Sequence, residues 1–160
     1  MEENKSTTEV IRQLLDNNEY NYSTIGENDN VFSLGFNIDS PLSSVRCFMR
    51  ETSFGFLITS ISPVGGDSSN KEMMNALTEL ITRINYNAHL VKFTMDMSDG
   101  ELRCEIDVPT DPQQSTPSEV FIHLMLTVST RAWKKYAPCF LGVIFGGKTP
   151  EEALELQGEF

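Results

Sequence analysis

Apolar residues recur along this chain at two different spacings, and the switches between them lay out its elements. Val10, Ile11, Leu14 and Leu15 fall three and four residues apart, one stripe of a helix predicted over Thr7 to Asn18. From Phe32 the period becomes two. Phe32, Leu34, Phe36 and Ile38 alternate with Ser33, Gly35 and Asn37, a strand that the Asp39-Ser40-Pro41 turn ends. Residues 44–50 and 54–61 supply a second and third strand about a short turn near Glu51 to Ser53. The helical period returns over Asn70 to Ala88, with Met74, Leu77, Ile81, Ile84 and Ala88 on one side. Val91, Phe93, Met95 and Met97 then alternate with Lys92, Thr94 and Asp96, and Ser98-Asp99-Gly100 turns the chain into Leu102, Cys104, Ile106 and Val108. Asp-Gly between two alternating runs is a strong hairpin signal. A third helix is predicted from Pro117, with Val120, Phe121, Leu124, Met125, Val128 and Ala132 on one side and Ile122 and Leu126 beside them, which makes it the most buried. Pro138 bends it or starts a second short segment over Cys139 to Phe145, stopped at Gly146-Gly147. A short last helix runs from Pro150 to about Gln157.

Four capping boxes punctuate this pattern, each a Ser or Thr followed three residues later by Glu: Ser6 to Glu9, Ser69 to Glu72, Thr116 to Glu119 and Thr149 to Glu152. The last two carry proline at the first helical position, Pro117 and Pro150. The segments 63–68 and 109–115, rich in Pro, Gly, Ser, Asp and Gln, are loops rather than domain linkers, since neither half could bury its apolar faces alone, so residues 1–160 read as a single domain. The fold class is α+β, a two-layer α/β sandwich of order α-β-β-β-α-β-β-α. Its largely antiparallel five-stranded sheet carries the helices on one face and leaves the other open to solvent or a partner.

A chain of 160 residues buries enough surface to stand without disulfides or metals. Its three cysteines, Cys47, Cys104 and Cys139, are odd in number, far apart and set in apolar runs, which predicts buried packing. No apolar stretch approaches the roughly 20 residues of a membrane helix. Glu2, Glu3, Glu9 and Asp16 stand where a secretory signal would need basic and apolar residues, so the expected compartment is the cytoplasm and the N-x-S triplets at Asn4 and Asn21 carry no glycan. The formal charge of −11 repels nucleic acid and anionic membrane, and favours solubility or a neutral or basic partner.

Candidate chemistry is sparse. The segment Gly142 to Thr149 satisfies the G-x-x-x-x-G-K-[ST] phosphate-loop pattern. A working phosphate loop follows a buried strand and opens a long helix. Here a proline-bent helix precedes it, Val143, Ile144 and Phe145 fill the loop, Pro150 lacks an N–H, and Glu151 and Glu152 repel an anion. The segment therefore reads as a helix stop followed by an N-cap. His89 and His123 lie on different elements without ligand spacing, and no serine sits in G-x-S-x-G or S-x-x-K. The pairs Glu2–Glu3 and Glu151–Glu152 lie at a chain end and a helix start. The expectation is no catalytic, cofactor-binding or metal-binding residue.

Strand parity supplies the one candidate surface. If Val45, Cys47 and Met49 face the helices, then Arg46, Phe48 and Arg50 face outward, joined by Lys92, Thr94, Arg103 and Glu105 from the later hairpin. This sets Arg46, Phe48, Arg50, Lys92 and Arg103 together on an otherwise acidic protein, either as a solvated face with cross-strand pairs to Glu105 or as a groove for an extended peptide or acidic segment.

The segment Leu80 to Pro109 resembles the YbjN family, in Ile84-Asn85, the run Val91-x-Phe93-x-Met95, the turn Asp99-Gly100-Glu101, and the strand ending at Val108-Pro109. Tyr136-Ala137-Pro138 and Gly146-Gly147-Lys148-Thr149-Pro150-Glu151-Glu152-Ala153 are similar to the end of many such domains. The likeness runs from the second helix onward, with residues 1–68 agreeing in pattern only. The resemblance implies a bacterial sensory-transduction regulator with the fold of type III secretion chaperones, which are small acidic homodimers that hold an unfolded segment of another protein. It carries over no active site. The expected function is therefore a non-catalytic protein-binding or chaperone-like regulator, homodimeric, with a protein partner and no nucleic acid or membrane. The alternatives are a small-ligand sensor with an apolar pocket between helices and sheet, and a nucleotide-binding protein acting through Gly142–Thr149.

Overall fold

In the computed structural model, which describes residues 5–111 and 116–159, the period-two segments form one antiparallel sheet and the helical segments cover a single face of it. The elements run α1 (Thr7–Asn17), β1 (Tyr22–Ile25), β2 (Val31–Asn37), β3 (Ser44–Thr52), β4 (Gly55–Ile61), α2 (Lys71–Asn87), β5 (Lys92–Met95), β6 (Leu102–Pro109), α3 (Glu119–Ile144) and α4 (Pro150–Leu154). The sheet order is β1-β2-β3-β4-β6-β5, with every neighbouring pair antiparallel. Glu2, Glu3 and Asn4, and most of the loop after Pro109, lie outside the described residues.

The α+β sandwich is as expected, but the described residues hold six strands instead of five. The addition is β1, which pairs along β2 from Tyr22↔Leu34 to Ile25↔Val31. Its alternation is inverted: Tyr22 faces the helices, where its hydroxyl donates to Asp16 Oδ1 at 2.7 Å, and Ile25 is 46% exposed on the other side. A four-residue segment with a polar group inward and an isoleucine outward gives no period-two signal.

Two of the four capping boxes close reciprocally, Ser6–Glu9 and Thr149–Glu152. The other two shift. Ser69 spends its N–H and hydroxyl on Asp67 Oδ1, at 2.9 and 2.6 Å, so Asn70 caps α2 by accepting from Met73 N at 3.0 Å. For α3 the cap is Ser118, accepting from Phe121 N, and the helix starts at Glu119 rather than Pro117. Pro117 and Ile122, both buried, then occupy the N′ and N4 positions of a hydrophobic staple.

The buried stripe of α3 is also rotated from the expected one. Ile122, Met125, Leu126, Ser129, Ala132, Trp133, Tyr136, Ala137, Cys139, Phe140 and Val143 are inside, whereas Val120 is 80% and Leu124 53% exposed. The first turns of α3 are apolar all round, so the phase is set by the aromatic half: Phe93 stacks edge-on against Trp133, ring centroids 5.0 Å apart, and lies 5.3 Å from Phe140. Helix α3 continues through Pro138 as one 26-residue element. Beside the turn that the proline opens, the N–H of Gly158 donates to Lys135 O at 2.8 Å, so the C-terminal tail satisfies a carbonyl there.

One polar cluster sits in the centre of this core. Ser60 Oγ on β4 accepts from Trp133 Nε1 at 2.8 Å, exchanges a hydrogen bond with Ser129 Oγ at 2.6 Å and donates to Cys104 O on β6. Ser60, Ser129 and Trp133 are all fully buried. The network fixes the rotation and height of α3 over the sheet, because any other placement would leave the indole N–H without an acceptor.

Candidate functional site

The uncovered face of the sheet follows from the same alternation that builds the core. Val45, Cys47 and Met49 are buried against the helices, which turns Ser44, Arg46, Phe48 and Arg50 of β3 outward. By register the open face carries three rows across the strands. The first is Ser23, Ser33, Phe48, Thr59, Glu105, Lys92. The second is Gly35, Arg46, Ile61, Arg103, Thr94, and the third is Ile25, Val31, Arg50, Leu57, Asp107. All five expected surface residues, Arg46, Phe48, Arg50, Lys92 and Arg103, therefore share this face.

Phe48 stands at the middle of it. Its directly opposed partners are Ser33 and Thr59, and the diagonal positions are Val31, Gly35, Leu57 and Ile61. Diagonal neighbours lie about 7–8 Å apart, within reach of an aromatic ring. Phe48, Val31, Leu57 and Ile61 are each half-buried, so part of their apolar surface is presented together on this face. Beside it a hollow of about 780 Å³ is floored by Ser33, Gly35, Arg46, Phe48 and Ile61 and flanked by Ser23 and Glu101. At Gly35 even an added Cβ would meet nothing within 4 Å, so the absent side chain keeps the floor open.

The four cations of this face differ in what holds them. Lys92 lies 3.9 Å from Glu105 across the β5–β6 pair, and Arg103 Nε donates to Glu101 Oε1. Glu101 holds the Arg103 guanidinium protonated more firmly than usual, mainly through that hydrogen bond, against the opposing cost of partial burial and with help from its charge. Arg46 and Arg50 have no carboxylate within ion-pair distance among the described residues. Arg46 is nevertheless fixed: its Nε donates to the buried Ser33 Oγ at 3.0 Å, and its guanidinium lies 5.8 Å from the Phe48 ring centroid. Ser33, Gly35, Leu57 and Ile61 were not singled out by the sequence reading, although the parity of their strands places each of them outward.

The remaining candidates have structural employment. Gly142 to Ile144 are the last turn of α3, Lys148 N donates to Gly142 O at 3.1 Å, Gly147 takes a φ of +58°, and Thr149 caps the five-residue α4. That is the geometry of a helix stop and restart, with no strand before it. His123 Nε2 lies 3.2 Å from Tyr20 Oη, joining α3 to the end of α1, while His89 is exposed beside Leu90 at the start of β5. Burial pushes the Cys47 and Cys104 thiols up to about 12 and Cys139 up to about 11, so none is a ready nucleophile. Among the described residues no three metal-ligating side chains cluster, and no helix is long and apolar enough to cross a membrane. Neither a family model nor a curated protein matches this chain.

Proposed function

We propose that this protein is a non-catalytic, chaperone-like regulatory domain that acts in the cytoplasm as a homodimer and receives a protein partner on the open face of its sheet. The observation that carries this reading is the apolar group of Phe48, Val31, Leu57 and Ile61, set beside Arg46 and Arg50, which have no carboxylate within ion-pair distance among the described residues. A face left to water gains nothing from grouping the partly accessible phenylalanine, leucine and isoleucine, whereas an extended chain laid across it would cover what remains of them. The space between sheet and helices is filled by Trp133, Phe32, Phe56, Phe93 and Phe140, which supports a surface site over an interior pocket for a small ligand. Three buried, unpaired thiols support a reducing compartment. Val120 and Leu124, exposed one turn apart on α3, support a second copy against the helix layer, leaving the sheet face free. We also propose membership of the YbjN family. The Asp99-Gly100 hairpin, closed by Gly100 N donating to Asp96 O at 2.8 Å, and the Gly147–Thr149 helix stop support it, since the resembling residues occupy working turn and cap positions.

Light scattering tests the assembly: the expected mass is twice 18.0 kDa, falling to 18.0 kDa in Leu124→Glu. A monomer at every concentration would remove the dimer from the proposal. Phe48→Glu tests the surface. It should leave the circular dichroism unchanged and abolish the binding of proteins that the wild type retains; unchanged binding would remove the open face.

A further inference from the structure

We infer that Arg46 is the anchor of a carboxylate-binding position in the open-face hollow, and that the segment received there is an extended peptide carrying an Asp or Glu side chain. The inference rests on the open face being the binding surface and names what that surface recognises. A surface arginine normally samples many rotamers, and an exposed ion pair contributes little because it must restrain them. Arg46 is already restrained. The Ser33 hydroxyl, on a side chain only 3% exposed, accepts its Nε proton, and the Phe48 ring supports the guanidinium. With Nε committed, the two Nη groups remain as a parallel pair of donors, the fork that matches both oxygens of one carboxylate. No described residue accepts from them.

Charge sets the size of the anion. The chain carries −11 overall, which opposes any anion at long range, so local neutralisation must decide. Of the described residues that line the hollow, Arg46 is the only cation and Glu101 the only carboxylate, and Glu101 is occupied by Arg103. One free cation balances a monoanion and leaves a phosphate dianion undercompensated. Ile61 and the exposed edge of Phe48 flank the guanidinium, while Gly35 leaves room for the backbone of a ligand to approach. Side chains on one face of an extended peptide recur about every 6.6–7 Å, which is also the spacing of Arg46, Phe48 and Arg50 along β3. A segment with an acidic residue over Arg46 and an apolar residue two positions away over Phe48 and Leu57 fits both chemistries, and Arg50 meets a second acid at the next alternate position.

The test uses the full chain and three eight-residue peptides with blocked ends, alternating valine with threonine around one central Glu, Gln or phosphoserine. Amide chemical shifts of β2, β3 and β4 follow each titration. The Glu peptide should shift Ser33, Gly35, Arg46 and Ile61 and bind about tenfold tighter than the Gln peptide. Arg46→Gln should bring that ratio to about one while the apolar contribution persists. Ser33→Ala, which frees the guanidinium without removing it, should lower the ratio by about threefold, an effect that loss of fold would not produce. Equal binding of Glu and Gln peptides to the wild type, or a preference that survives Arg46→Gln, overturns the carboxylate anchor and leaves the open face as a binding surface. Tighter binding of the phosphoserine peptide overturns the assignment to a monoanion. No shift with any of the peptides overturns the anchor and the open-face reading together.

Discussion

Replacing Ser60 with alanine removes one oxygen from the place where helix α3 meets the sheet. That oxygen accepts the Trp133 indole proton at 2.8 Å and pairs with Ser129 Oγ at 2.6 Å, all within fully buried surroundings. An orphaned buried donor costs about 1–3 kcal/mol. Ser129 can turn its hydroxyl to a carbonyl of the preceding turn of its own helix, so most of the penalty falls on the indole, whose acceptor among the described residues is Ser60 alone. The expected loss is about 2–3 kcal/mol, or roughly 4–12 °C in Tm for a chain of this size. Urea unfolding followed by far-ultraviolet circular dichroism measures it without relying on the tryptophan signal that the substitution itself disturbs. Trp133→Phe removes the donor, so Ser60→Ala in that background should cost at least about 1 kcal/mol less than in the wild type. A loss below about 0.5 kcal/mol, or two strictly additive substitutions, would refute the role given to this cluster.

Raised thiol pKa values make stability depend on alkaline pH. Cys47 and Cys104 titrate near 12 and Cys139 near 11 when folded, against 9.0 when free, so the unfolded chain releases its protons first. The thiols' contribution to stability should hold constant below pH 9 and fall above it, and thiol reagents at pH 8 should label the protein only after denaturation; rapid native labelling would contradict the burial. Thr149→Ala breaks the capping box of α4 and should cost about 1 kcal/mol, read as faster amide exchange in Glu152 and Ala153 with α1 unaffected. Gly100 has a φ of +83°, and an added Cβ would come within 2.0 Å of Gly66 O, so Gly100→Ala should destabilise by more than the ordinary left-handed penalty of about 1 kcal/mol. Thermal denaturation checks this, and a neutral result would mean the loop at Gly65–Gly66 does not lock the β5–β6 hairpin.

Much of the architecture can be read from residue order because the signals are local. The Asp99-Gly100 turn and the boxes at Ser6 and Thr149 are short-range hydrogen-bonding patterns that tertiary structure had no reason to change. Competition between neighbours displaced the others: Ser69 was drawn to Asp67, leaving Asn70 to cap, and burial of Pro117 moved the α3 cap to Ser118. The phase of α3 could not be taken from its first turns, where apolar residues surround the axis. The requirement that Trp133 find an acceptor, which Ser60 supplies, settles it, and that pairing spans 73 positions. The candidate surface was legible for the opposite reason, since strand parity alone places Arg46, Phe48, Arg50, Lys92 and Arg103 outward. What parity could not show is which cations are already satisfied; that needed the registers that bring Lys92 to Glu105 and the turn geometry that brings Arg103 to Glu101.

Site-specific photo-crosslinking in cells bears most directly on the open sheet face as the working surface. A benzophenone side chain placed at Phe48 is expected to give a discrete adduct with another protein, lost when Arg46 and Arg50 are both changed to alanine, while the same group at the exposed Thr82 of α2 gives none of that adduct. No adduct at position 48, or identical adducts at 48 and 82, would contradict the assignment of partner binding to this face.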